Sequence, residues 1–335
     1  MTKAEPRISD FLPDYCETAE DILAFVTDCQ AAGIACALGV VTRVTGGSSR
    51  AVGTLFAVDQ NGGMAGYVSN GCIDADVRLQ ALDALADGKI RSLIYGVGSP
   101  FVDLRLPCGG SLELLIDPAP VAATCQRAAQ ALALRQTVIL GFGGAKGLAV
   151  PSPTDDDALF RACYTPRLRL VVAGRGAPIE KLSQLLASLD IAAVVATPDA
   201  RDRAGLGALP GMTYLHLSSP TRPPQIVVDR FTAVLLLFHD HDWETALIAA
   251  CLPQQPFYIG ALGSAATHAK RKDALAAMGV PHDQINLVHG PVGLMPSMRN
   301  ASFLAVSVIA EIMSDYIAAQ ARSESQNSAD IAHLP

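Results

Sequence analysis

The chain has 335 residues, half of them hydrophobic, with 25 basic against 32 acidic side chains and a net charge of -7. That length suits two domains, each with a well-buried core. The acidic balance excludes a binder of nucleic acid or of a membrane surface that works through a basic patch. The polar N-terminus has no apolar core of a secretory signal. The aliphatic runs, such as Ala233–Phe238, have strand length and are too short to span a bilayer. The eight cysteines form no C-x-x-C pair and no zinc-type spacing with histidine, so no metal site is expected. They read as the reduced thiols of a cytoplasmic protein.

In chain order, Glu17–Ala32 has helical apolar spacing and stops at Gly33. Cys36–Val44 reads as a buried strand running into the small-residue loop Gly46-Gly47-Ser48-Ser49-Arg50. Strands at Thr54–Val58 and Met64–Ser69 follow. After Asn70-Gly71-Cys72 comes a helix from about Ile73 to Ala86. Strands at Ser92–Tyr95 and Leu112–Ile116 flank Pro107-Cys108-Gly109-Gly110, then a helix near Val121–Leu134 and a strand at Thr137–Leu140. The Pro- and Asp-rich stretch Pro151–Asp157 reads as a loop. Beyond it the order becomes strand, glycine loop, helix, strand, which predicts a parallel sheet covered on both faces. The predicted organisation is α/β throughout: an N-terminal α/β domain over residues 1–162, a Rossmann-type domain over 163–320, and a disordered polar tail over 321–335.

Leu168–Ala173 is a short apolar strand, followed by Gly174-Arg175-Gly176-Ala177 and a helix over about Pro178–Leu189. In this setting glycines let the backbone approach a pyrophosphate, and the helix start supplies amide donors. The third glycine position is Ile179. The acid expected at the end of the second strand is replaced by Thr197, with Asp199, Arg201 and Asp202 just after. A hydroxyl and arginines suit a 2′-phosphate, so a nicotinamide cofactor here is expected to be NADP. A Rossmann-shaped domain without a dinucleotide is the alternative.

Cys72 stands between strand and helix, where free amides and the helix dipole stabilise a thiolate and Asp74 and Asp76 oppose that effect. Cys108 precedes two glycines that would let a ligand approach its sulfur. Each cysteine taken singly is more often a packing residue. The Gly47, Ser48, Ser49 and Arg50 loop offers amides and a positive charge, a cradle for an anion. His239 and Asp240 directly follow an apolar strand, where α/β sheets place ligands. Gly263 and Ser264 form a further strand-to-loop junction. Met295 and Phe303 read as core residues.

Together these segments resemble the XdhC/CoxI family, accessory proteins that mature xanthine dehydrogenase-like molybdenum hydroxylases. The resemblance rests on Gly47-Ser48-Ser49-Arg50, Ser69-Asn70-Gly71-Cys72-Ile73-Asp74, Cys108-Gly109-Gly110, the Gly174–Gly176 loop and Asp229–Val234 leading to His239-Asp240. It continues through Tyr258-Ile259-Gly260-Ala261-Leu262-Gly263-Ser264 and His289-Gly290-Pro291-Val292-Gly293-Leu294. It implies a homodimer that binds molybdopterin or its dinucleotide, protects it during sulfuration with a cysteine desulfurase, and delivers it to an apo-molybdenum hydroxylase. The sequence departs from the family pattern at Asn70, Thr197, Met295, Ser297, Ala301 and Phe303. Those departures leave open an NAD(P)-dependent oxidoreductase for a small polar substrate, with His239 and Asp240 as its acid and base.

Overall fold

Six consecutive buried residues, Cys36 to Val41, make β1 (Cys36–Thr45) the centre of the first sheet of this computed structural model. The structure describes residues 16–99, 109–144, 147–149, 158–206, 209–295 and 298–332. The chain divides into two units after Pro166. The predicted division at 162 would cut a strand, β8 (Phe160–Tyr164), which pairs antiparallel with β6 (Val138–Gly144) and so belongs to the first unit.

In the first unit β1 lies between β2 (Leu55–Asp59) and β5 (Ser111–Asp117), with β3 (Met64–Ala65) and β4 (Arg91–Gly96) outside them. Every neighbouring pair is antiparallel. The centre is buried on both faces, so β1 reads as a continuous apolar run rather than an alternating one. Leu38 and Val40 join α1 (Ala19–Ala31) and α3 (Ala122–Ala133) in one core, while Ala37 and Val41 join α2 (Asp74–Asp87) in the other. Gly39 opposes Phe56 across the ladder, and a Cβ there would stand 2.1 Å from the Phe56 ring. A small second sheet orders β7 (Gly147–Ala149), β6 and β8.

The second unit is a six-stranded parallel sheet in the order β11-β10-β9-β12-β13-β14. Its strands are β9 (Arg169–Gly174), β10 (Ala192–Thr197), β11 (Met212–His216), β12 (Thr232–Leu237), β13 (Tyr258–Ala261) and β14 (Val288–His289). Numbered from β9, this is the 3-2-1-4-5-6 order of a dinucleotide-binding sheet, whose direction reverses between β9 and β12. The helices are α4 (Ala177–Ser188), α5 (Ala200–Leu206), α6 (Glu244–Cys251), α7 (Ala265–Ala277), α8 (His282–Ile285) and α9 (Ala301–Ala332). Leu170 and Val172 face a core shared with α4 and α9, whereas Val171 and Ala173 face α6 and α7.

Asn300 caps α9, its Oδ1 accepting from the amides of Ser302 and Phe303. The helix runs on to Ala332, so the backbone of 321–332, expected to be disordered, continues it. The span Ala301–Gln320 is long and apolar enough to cross a membrane by length and composition alone. Leu304, Ala305, Val308, Ile309 and Ile312 on that span belong to the core. Phe303 and Met295, expected in the core, are instead 62% and 43% exposed.

Candidate functional site

In the first unit two of the sequence motifs meet at one end of the sheet. The β1–β5 ladder pairs Thr45 with Ser111, which sets the Gly46-Gly47 turn against Gly109-Gly110. A Cβ on Gly110 would stand 2.6 Å from the carbonyl oxygens of both Thr45 and Gly47. Gly110 is therefore needed for the close approach of the two loops, and a Cβ on Gly46 would be tight as well, 3.1 Å from Gly110 Cα. Cys108 lies outside the described residues. The Arg50 guanidinium lies 4.3 Å from the Tyr67 ring centroid and 3.4 Å from Glu17 Oε1, and Tyr67 donates to the same Glu17 oxygen. The charge expected to cradle an anion is thus engaged by Glu17 and Tyr67. Ser48 is exposed, and its Oγ accepts from the Arg50 amide at 3.1 Å, a local turn. Gly47 and Ser49 are exposed.

The Cys72 loop is organised by a single carboxylate. Asp74 Oδ1 accepts from the amides of Val68 at 2.7 Å and Ser69 at 3.1 Å. Its Oδ2 accepts from Ser69 Oγ at 2.7 Å and the Gly71 amide at 2.8 Å. Ser69 Oγ in turn accepts from the Ile73 amide at 2.9 Å. Cys72 stands exposed just before the cap residue Ile73. The amides on either side of it, of Gly71 and Ile73, are already bound, whereas α2 itself has no side-chain cap at its start. Asp76 is taken by the Tyr95 hydroxyl at 2.6 Å. Sequence reasoning saw Asp74 only as a charge opposing the thiolate and missed its structural role. Its place in the first turn of a helix was the available signal.

In the second unit, Gly174 ends β9 at the point where the strand order reverses. A Cβ there would lie 2.7 Å from Ile179 Cγ2. Ile179 is fully buried, so the apolar residue at the third motif position fills the space the glycine leaves. Gly176, at φ 71°, caps α4 with open space around it. Its amide donates to Asp202 Oδ2 at 2.9 Å, and Thr197 Oγ1 donates to the same oxygen at 3.3 Å. The acid missing at the end of β10 is thereby supplied in space from α5. This corrects the expectation of NADP: Thr197 does not present a free hydroxyl beside Arg201, which is exposed, but a hydroxyl bound to a carboxylate that repels a 2′-phosphate. Arg175 lies 5.3 Å from the ring of Trp243, and Ala177 begins α4.

The other strand ends carry the remaining candidates. His239 and Asp240 are both exposed, and Asp240 Oδ1 accepts from the Asp242 amide at 3.2 Å, a local cap. Ser264 caps α7, its Oγ accepting from the Thr267 amide at 3.1 Å, and Gly263 precedes it at φ 143°. The loop is anchored from beneath by Arg271. This residue donates to the Leu262 carbonyl at 2.6 Å and pairs with Glu244 at 2.9 Å, with side chains 1% and 0% exposed. Helix α7 thus contributes to a buried ion pair, which sequence reasoning missed because Glu244 lies on another helix.

A second cluster also escaped it. His289 Nδ1 is 3.5 Å from Glu311 Oε1 and its Nε2 is 3.8 Å from Asp315. Tyr258 donates to Glu311 Oε1 at 2.9 Å, and the Gly293 amide donates to Oε2. The bond to Glu311 holds His289 above its ordinary 6.5 against the effect of burial. Burial pushes Glu311 up, but its bonds from His289, Tyr258 and Gly293 together hold it below the usual 4.5. A raised histidine gives stability that is complete below its unfolded pKa and lost as pH rises through the folded one. A lowered glutamate gives stability present above its unfolded pKa and lost as pH falls through the folded one. The contribution is therefore whole between pH 4.5 and 6.5. His289 is 42% exposed, so solvent screening limits the pair to under about 1 kcal/mol. The melting difference between wild type and His289→Gln should be largest in that window and shrink at higher pH. His268, lowered by burial, by Arg271 and Lys272 and least by His289 itself, loses only that last and smallest cause in the variant. A difference that stays constant across pH would contradict the assignment.

Comparison with known proteins bears on the family and the fold. The XdhC Rossmann domain matches residues 170–312, and the XdhC and CoxI family matches residues 29–96. The chain is 30% identical over 298 residues to the molybdenum cofactor insertion chaperone PaoD of Escherichia coli strain K12, covering 88% of this chain and 87% of that protein. Its fold is similar to a solved structure described as a xanthine dehydrogenase from Bacillus halodurans. The TM-score is 0.70 at 18% identity, covering 93% of this chain and 99% of that one. Near-complete coverage of a curated relative, with both family matches in chain order, places this chain in the XdhC and CoxI family.

Proposed function

We propose that the protein is a molybdenum-cofactor chaperone that holds the cofactor and hands it to a molybdenum hydroxylase. The observation that carries this reading is the exposed Cys72 thiol on a loop fixed by four hydrogen bonds to Asp74. A thiolate is a soft donor suited to a metal or its sulfur ligands. Asp74 acts as a positioning residue: it spends its oxygens on the backbone and leaves the sulfur as the group facing outward. The cargo on this reading is molybdopterin or its dinucleotide form. In the second unit, Asp202 beside Gly176 favours a nucleotide whose ribose keeps its 2′-hydroxyl, because a carboxylate accepts from that hydroxyl. The partners are an apo-molybdenum hydroxylase and a cysteine desulfurase that supplies sulfur, in the reducing cytoplasm.

The test is delivery. Cofactor-loaded protein is mixed with cofactor-free hydroxylase, and the appearance of hydroxylase activity is followed against free cofactor at the same concentration. The loaded chain is expected to activate faster than free cofactor, and a Cys72→Ala chain more slowly than wild type. Equal activation by free cofactor and by loaded wild type would remove the chaperone reading.

A further inference from the structure

Arg50 is a buried cation with a weak counter-ion. Its side chain is 11% exposed, and its Nε is buried with no acceptor among the described residues. Glu17 is the one carboxylate paired with it among those residues, through a single contact of 3.4 Å to one guanidinium nitrogen. A guanidinium grips an oxyanion best by two parallel bonds of about 2.7–2.9 Å. Glu17 makes neither, and its own side chain is 62% exposed. A buried charge left short of its counter-ion favours any anion that pairs with it better. The Tyr67 ring lies against the guanidinium, 4.3 Å from centroid to Cζ, so the donors along the guanidinium edge remain for hydrogen bonds. The Tyr67 hydroxyl donates to Glu17 Oε1, the same oxygen that pairs with Arg50. Two donors from separate segments thus converge on one oxygen atom. Just before Arg50, Gly47, Ser48 and Ser49 are exposed, and no described residue accepts from their amides.

We propose that Arg50 and Tyr67 form a binding site for a phosphoryl group, and that Glu17 is an internal stand-in whose carboxylate that group displaces. A phosphate presents more acceptor oxygens and more negative charge than a carboxylate. Two of its oxygens can take a pair of donors on the guanidinium edge, Nε included, while the others accept from the Tyr67 hydroxyl and the loop amides. Glu17 can give way because most of its side chain is already in water, where an ion pair holds only weakly. Tyr67 leads directly into Val68 and Ser69, whose amides Asp74 binds, so the site lies on the loop that carries Cys72. The identity of the ligand rests on the chaperone reading. There the group is the phosphate of the pterin cargo, and Glu17 keeps the cradle closed in the empty chain.

Inorganic phosphate is titrated into cofactor-free, full-length protein by calorimetry. Glu17→Gln removes the competing charge and should bind phosphate about tenfold more tightly than wild type. Adding Arg50→Lys keeps the positive charge but loses the fork, and should cancel that gain. Glu17 is exposed, so its variant should melt with wild type; if the double variant melts well below it, the single one decides alone. Phosphate binding no tighter in Glu17→Gln than in wild type, or undiminished in a folded double variant, overturns the site. A second arm counts the molybdopterin retained after desalting. Glu17→Gln should keep at least as much as wild type, and Arg50→Lys about tenfold less. Retention unchanged by Arg50→Lys would mean that the site takes free phosphate, and overturns its assignment to the cargo. Wild type that takes up no pterin, with the phosphate results as expected, removes the chaperone reading and leaves the site standing.

Discussion

Arg271→Leu should lower the melting temperature of the second unit by on the order of 10 °C, the largest stability effect expected of any single substitution described above. Its guanidinium and the Glu244 carboxylate are 1% and 0% exposed and 2.9 Å apart. Removing one partner leaves the other charge buried without its counter-ion, which costs about 3–5 kcal/mol. The Leu262 carbonyl also loses its donor just before the Gly263-Ser264 junction. Replacing both residues with apolar ones of similar size should recover most of the loss, since the net worth of a buried pair is small. A thermal melt of both single variants and the double variant makes the comparison. Single variants that melt within about 2 °C of wild type would show that the pair is not the anchor.

Much of this architecture was legible in the sequence. The run Cys36–Val44 announced a strand buried on both faces, because helices cover both sides of β1. The alternation after Arg167 announced the parallel sheet. What failed was tertiary. Nothing in the local pattern tells that the Asp202 side chain folds back onto Gly176, or that Arg271 and Glu244, 27 residues apart, face one another. The domain boundary was set four residues early because β8 pairs with β6 across an intervening loop. Phe303 and Met295 were read as core from hydrophobicity alone, yet apolar residues on a helix can equally mark an interface.

The cargo-binding claim turns on the Cys72 loop, and two substitutions there should separate contact from positioning. Cys72→Ala removes an exposed sulfur, so it should leave stability nearly unchanged, within about 0.5 kcal/mol. Asp74→Ala frees the amides of Val68, Ser69 and Gly71, and should both destabilise the first unit and let the loop move. Loss of a group that orients a ligating side chain costs about ten- to a hundredfold in affinity, so Asp74→Ala should lose the cofactor on that scale with Cys72 still in place. The most direct measurement is bound molybdopterin per chain, released, oxidised to its fluorescent product and counted after the protein is incubated with cofactor and desalted. Wild type is expected to retain it, and both variants to retain far less. Wild-type protein that carries no pterin would contradict the account at its centre.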